Sequence, residues 1–105
     1  MPTRVSEILQ HADALLDAHA FDDYGPIGLQ VAGRAELVDT IATSVSSTLD
    51  SFQRAGGLCA QLLLCHHGLF WKGDPQVVDA VRRERLDALF GAGITLAGYL
   101  SLIHI

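Results

Sequence analysis

The sequence predicts an α/β fold whose mainly parallel sheet is flanked by helices, and three observations carry that expectation. Strand-like and helix-like stretches alternate along the chain, in the order helix, strand, strand, helix, strand, helix, strand. Leu62-Leu63-Leu64-Cys65 is a run of apolar residues without helical spacing, which reads as a short strand buried on both faces. Parallel neighbours need crossovers of the length that the intervening helices supply, wound by the usual right-handed rule. With 105 residues, half of them apolar, the chain has material for one core and is not of disordered composition.

Taken in order, Thr3 is expected to cap a helix on which Val5, Ile8, Leu9, Ala12, Leu15 and Leu16 recur at helical spacing. Its polar face carries Glu7, Gln10, Asp13 and Asp17, with His11 and His19 read as solvated near that face or the helix end. Phe21-Asp22-Asp23-Tyr24-Gly25-Pro26 is a loop, since Gly-Pro breaks regular structure and Asp favours turns. Asp22 and Asp23 fit turn formation better than metal ligation. Gly28-Leu29-Gln30-Val31 reads as a short strand, Gly33-Arg34-Ala35-Glu36 as a turn, and Val38 to Val45 as one β-strand.

Ser44, Ser46, Ser47 and Thr48 form a hydroxyl cluster after that strand. Ser47 or Thr48 is expected to cap a helix running to Ala55, with Asp50 complementing the macrodipole in its first turn and Gly56-Gly57 stopping it. The same cluster could hold a phosphate or carboxylate at the helix start. Capping is preferred because no Gly-rich loop with a following Lys accompanies it.

A strand from about Cys59 to Cys65 comes next. Asp74-Pro75 then signals the start of a helix over Gln76 to Phe90, where Val77, Val78, Val81, Leu86, Leu89 and Phe90 drift around the axis and suggest a break near Arg82 to Arg85. Gly91 and Gly93 end it, and Gly93 to Tyr99 reads as the last strand. Leu100 to Ile105 is an apolar edge with no closing cap, an unusual end for a whole domain.

The functional signal sits where the Leu62–Cys65 strand ends, in His66-His67-Gly68. The carboxyl ends of such strands are where open α/β sheets place their chemistry. Adjacent side chains of a regular strand point to opposite faces, so two consecutive imidazoles converge on one ion or ion pair only if the chain bends, which Gly68 is expected to permit. Neutral imidazole suits divalent transition metals, so the pair reads as half of a metal site. The alternative is one buried, hydrogen-bonded His beside one solvated. Leu69-Phe70-Trp71 either walls this site or packs the loop beneath the next helix, and packing is preferred for at least two of the three.

Other classes recede. Acidic residues outnumber basic ones by 12 to 7, and only Arg82, Arg83 and Arg85 cluster, so a nucleic-acid surface is not expected. No apolar run reaches the ~18 residues of a membrane span. With no signal-like N-terminus, the cytoplasm is the expected compartment. If Cys59 and Cys65 share a strand, their Cα atoms stand roughly 20 Å apart, too far for a mutual disulfide.

These motifs resemble a known family, the dinuclear-metal proteins called GTP cyclohydrolase 1 type 2 homologs or NGG-interacting-factor-three-like. The matching stretches are Asp23 to Val31, His66-His67-Gly68-Leu69-Phe70-Trp71-Lys72-Gly73, and Gly93 to Tyr99, in order and over nearly the whole chain to Tyr99. The resemblance implies that residues 1–99 are the N-terminal α/β part of a metal-binding domain within a larger three-layer α/β fold. It also implies that His66 and His67 ligate divalent metal (Zn, Fe, Ni, Co or Mn), two ions per subunit in the complete protein, inside a ring-shaped homohexamer. The remaining ligands it implies are an Asp soon after the last strand and a distant His and Glu. Here residues 100–105 depart from the family pattern as an atypical tail whose native origin is in question, and an ungapped alignment puts His104 at the Asp position. Asp22, Asp23, Asp50 or Asp74 would have to substitute, or the centre is incomplete, which is the expectation. By resemblance the whole protein is a metal-dependent hydrolase acting on a nucleotide or related small molecule, with no residue assigned a catalytic role. The alternatives are a non-catalytic metal-binding scaffold and an inactive fragment.

Overall fold

The alternating pattern folds around a four-stranded mixed sheet in the computed structural model, which describes residues 3–15, 28–70 and 73–99. Element order is β1 (Thr3–Arg4), α1 (Val5–Leu15), β2 (Gly28–Val31), β3 (Leu37–Val38), β4 (Ile41–Ser44), α2 (Leu49–Gly57), β5 (Leu62–Cys65), α3 (Ala80–Ala92) and β6 (Thr95–Gly98). The main sheet runs β2-β6-β5-β4, with β4·β5 and β5·β6 parallel and β2·β6 antiparallel. A small antiparallel pair joins β1 to β3. The mainly parallel α/β architecture is therefore the one expected, with an antiparallel edge strand.

The central strands explain why their sequences look uninterrupted. All four residues of β6 are buried, as are Leu62, Leu63 and Cys65 of β5, because helices cover both faces. Successive residues alternate between two cores. Leu63, Cys65, Ile94 and Leu96 join Phe52 and Ala55 of α2 and Leu89 of α3, whereas Leu62, Ala97 and Tyr99 join Leu9 of α1 and Val38. Thr95, the buried polar residue of β6, accepts a hydrogen bond from the Gly33 N–H at 2.9 Å.

Several boundaries differ from expectation: α2 runs through Gly56 and Gly57 to a Leu58 cap, α3 is unbroken through Arg82–Arg85 and Gly91, and four further shifts each have a local reason. Thr3 pairs with Val38 in β1 and does not cap α1. The stretch from Val38 to Val45 is divided, since Asp39 and Thr40 donate their N–H groups to Gln61 Oε1 and separate β3 from β4. Cys59 has φ 58° in the turn before β5, so β5 begins only at Leu62, and both cysteines are free thiols. Finally, α3 starts at Ala80 with Asp79 as its N-cap, accepting from Arg82 N at 2.8 Å, and Asp74-Pro75 lies in the preceding loop. This last shift accounts for the drifting apolar pattern, because Val77 and Val78 precede the helix and, with Val81 in its first turn, are exposed. Gly93 closes α3 in the left-handed conformation at φ 72°.

The hydroxyl cluster serves the chain itself. Thr48 caps α2 by accepting from Ser51 N at 3.1 Å, and Ser44 donates to the Ser46 carbonyl and lies 3.1 Å from Ser51 Oγ. Among the described residues no helix is long and apolar enough to cross a membrane.

Candidate metal centre

The end of β5 is tied to both neighbouring strands before it turns. Tyr99 N donates to the Cys65 carbonyl at 2.9 Å on the β6 side, while His66 N and His67 N donate to the Ser44 and Val45 carbonyls at 3.2 and 2.7 Å on the β4 side. Alternation alone would send the two imidazoles to opposite faces of the sheet. Instead their ring centroids lie 4.6 Å apart with planes inclined at 61°, and both residues are half-buried. The bend expected at this point exists.

Gly68 contributes to it by size, not by unusual dihedrals, for it is absent from the positive-φ glycines. A Cβ on Gly68 would collide with the amide of Gln30, and one on Gly98 would approach Gln30 Nε2 to 2.7 Å. The Gln30 side chain thus lies in a slot between two glycines, where its Oε1 accepts from Leu69 N at 2.7 Å. A residue of β2 thereby fixes the turn that follows the His pair.

Two further contacts orient the imidazoles. His66 Nδ1 lies 3.3 Å from the Tyr99 carbonyl oxygen, which favours a proton on Nδ1 and leaves the Nε2 lone pair available. Ser47 Oγ donates to the His67 carbonyl at 2.7 Å. Tyr99 is itself anchored, its hydroxyl donating to Asp13 Oδ1 of α1 at 2.7 Å. Burial first, and then the hydrogen bond and charge of Asp13, push the Tyr99 phenol well above its ordinary range. Burial likewise raises the Cys65 thiol, opposed in part by a hydrogen bond with Ser47.

The chemistry of this donor set suits a divalent transition metal as far as it goes: two oriented imidazoles supply neutral nitrogen ligands and no charge. Among the described residues no group of three or more His, Cys, Asp or Glu is placed to hold an ion. Asp50 pairs with Arg54 on the exposed side of α2 at 3.0 Å, and Asp74 lies 3.6 Å from Arg82 on the wall of a cleft that His67 also lines. Asp22, Asp23, His19 and His104 lie outside the described residues, as does Trp71. Leu69 is buried in the larger core and Phe70 packs against it, so these two serve packing, as preferred.

Gln30, Tyr99 and Asp13 were not marked by the sequence as site residues. Gln30 stands at one position of a four-residue strand, and nothing local links it to two glycines 38 and 68 residues on. By sequence Asp13 is an ordinary polar-face acid.

A mainly parallel α/β sheet with paired imidazoles at the carboxyl end of a central strand defines an α/β domain with a candidate site at that strand end. More particularly, the chain belongs to the Duf34/NIF3 (NGG1p interacting factor 3) family, whose model matches residues 3–99. It is 37% identical over 95 residues to a Chlamydia pneumoniae protein named GTP cyclohydrolase 1 type 2 homolog, covering 90% of this chain and 38% of that relative. Among solved structures it is similar to ybgI, a protein of unknown function (TM-score 0.88, 36% identity, 92% of this chain and 39% of the other). It is also similar to TTHA1606 from Thermus thermophilus (TM-score 0.87, 32% identity, 92% and 40%). The chain therefore spans about two fifths of the length of these three relatives.

Proposed function

We propose that His66 and His67 are ligands of a divalent metal centre, and that the whole protein is a metal-dependent hydrolase acting on a nucleotide or a related small molecule. The observation that carries this reading is the convergence of the two rings, 4.6 Å apart, with His66 Nδ1 held against the Tyr99 carbonyl so that Nε2 is left to bind. Metal would supply acidified water as nucleophile, and the two imidazoles would hold it. The remaining ligands, two ions per subunit, a homohexameric ring and a cytoplasmic location belong to the same proposal, on the family's resemblance. A relative's name that contains cyclohydrolase supports the substrate class only weakly, since shared fold does not fix reaction. The family description, NGG1p interacting factor, favours a second reading in which the metal centre stabilises a non-catalytic scaffold for protein partners.

Elemental analysis of the longest form its gene encodes, beside the variants His66→Ala and His67→Ala, tests the ligand assignment. Stoichiometric Zn, Fe, Ni, Co or Mn lost in both variants is the expected result. Metal retained in the double variant sinks it. A nucleotide panel assayed with each metal then separates the readings: turnover abolished by His66→Ala with assembly intact supports the hydrolase, and no turnover with any metal supports the scaffold.

A further inference from the structure

The arginine cluster has no part in the centre just described, yet it borders it. Arg82, Arg83 and Arg85 are three of only seven basic residues in an acidic chain, and they fall within four positions of α3. A cleft of about 320 Å³ lies between this helix and the His turn, lined among others by Ser47, His67, Gly68, Arg82 and Arg85.

The two lining arginines differ in what they touch. Arg82 is fully engaged in building the wall: its Nη1 donates to the Pro75 and Val77 carbonyls at 3.3 and 3.2 Å, its Nη2 lies 3.6 Å from Asp74, and its guanidinium stands over the Phe70 ring at 5.1 Å. Arg85, three residues on and so on the same side of the helix, is half-buried, and no described residue hydrogen-bonds to it or pairs with its charge. Asp74 and Asp79 also line the cleft and cancel the formal charge. Both carboxylates, however, already have partners in the wall, Asp74 with Arg82 and Asp79 at the helix cap. Arg85 is left as a planar five-donor cation in the cleft that His67 lines, a geometry matched by an oxyanion that takes two parallel hydrogen bonds.

We infer that Arg85 binds the phosphate group of an anionic small molecule in this cleft, which His67 also lines. Phosphate binding itself stands on the cleft alone; its meaning as substrate recognition rests on the function proposed above. The probe is inorganic phosphate, then pyrophosphate, titrated at low salt into the longest native form and followed by calorimetry, with metal content measured on every sample.

Arg85→Gln is expected to weaken phosphate about tenfold or more, Arg85→Lys to keep part of the affinity, and the exposed neighbour Arg83→Gln to change it little, all with metal content unchanged. Equal affinity in Arg85→Gln, or an equal loss in Arg83→Gln, overturns the inference, the second because it would show only diffuse attraction. Acetate competing as well as phosphate overturns the phosphate assignment. Phosphate binding lost in Arg85→Gln in a protein that carries no metal would keep this inference and reject the metal centre. Metal bound through the His pair with no phosphate affinity would do the reverse.

Discussion

The two faces of the sheet are built differently. Against α2 and α3 the strands bury a continuous apolar core in which Phe52, Leu63, Leu89, Ile94 and Leu96 are at most 1% exposed. Against α1 the cluster is smaller, its helix contributes Leu9 at 9% exposure, and a polar link, Tyr99 to Asp13, joins helix to sheet. The first face holds by area, which is non-directional, and the second leans on a hydrogen bond, which is directional and titratable. The His turn emerges at the carboxyl end of β5, which carries both cores, and it draws its restraints from both flanks of that strand: Gln30 and the Tyr99 carbonyl on the β6 side, Ser47 on the β4 side.

If that contrast is right, truncation should cost more on the two-helix face. Phe52→Ala is expected to lose about 3–5 kcal/mol of unfolding free energy, and Leu9→Ala roughly 2 kcal/mol, at the low end for Leu→Ala, since its site can relax toward solvent. Denaturant unfolding of both variants checks the order, and a Leu9→Ala loss equal to that of Phe52→Ala would erase the distinction.

A smaller effect is expected where β2 meets the His turn. Gly68→Ala forces a methyl into the Gln30 amide, the far end of a flexible side chain, which must swing aside and give up its bond to Leu69 N, so a loss of about 1–3 kcal/mol is expected. Gln30→Ala opens the slot but strands the Leu69 N–H, costing roughly 1–3 kcal/mol by itself. Because the two act on one contact, the double variant should be more stable than the sum of the singles predicts. Strict additivity would mean that Gln30 and Gly68 do not share the slot.

These contacts also mark what could and could not be read in the sequence. Local signals were legible: the apolar run of β5, the Thr48 cap, the Gly93 stop and the His doublet each occupy a few adjacent residues and follow from propensity or period. The division of Val38–Val45 was not, because it depends on Gln61, a residue more than twenty positions away, taking the N–H groups of Asp39 and Thr40. The start of α3 is ambiguous in the sequence because Asp74-Pro75 and Asp79 both fit a cap; Asp79 takes the role, and Arg82 bonds the Pro75 and Val77 carbonyls of the loop before it. For the site, the imidazoles were visible, but what aims them was not. A glycine after the His pair predicts backbone freedom at Gly68, whereas the structure needs it there for room beside Gln30.

The smallest expected effect concerns the polar link itself. Tyr99→Phe deletes the hydroxyl that donates to Asp13, a charge-assisted bond, and about 1.5 kcal/mol is expected to be lost at neutral pH, because the half-buried carboxylate regains some water. The pH dependence gives a sharper readout. The folded chain holds the Tyr99 proton more tightly than the unfolded chain, whose phenol titrates near its ordinary value of 10.0. Above that value the unfolded state binds fewer protons than the folded one, so stability is complete below about pH 10 and falls as pH rises further. Tyr99→Phe removes this group and should flatten the alkaline limb while lowering the neutral plateau. A neutral loss with the alkaline slope unchanged would show that the phenol packs on α1 without its proton being held there, and the contrast between the two faces would then reduce to buried area alone.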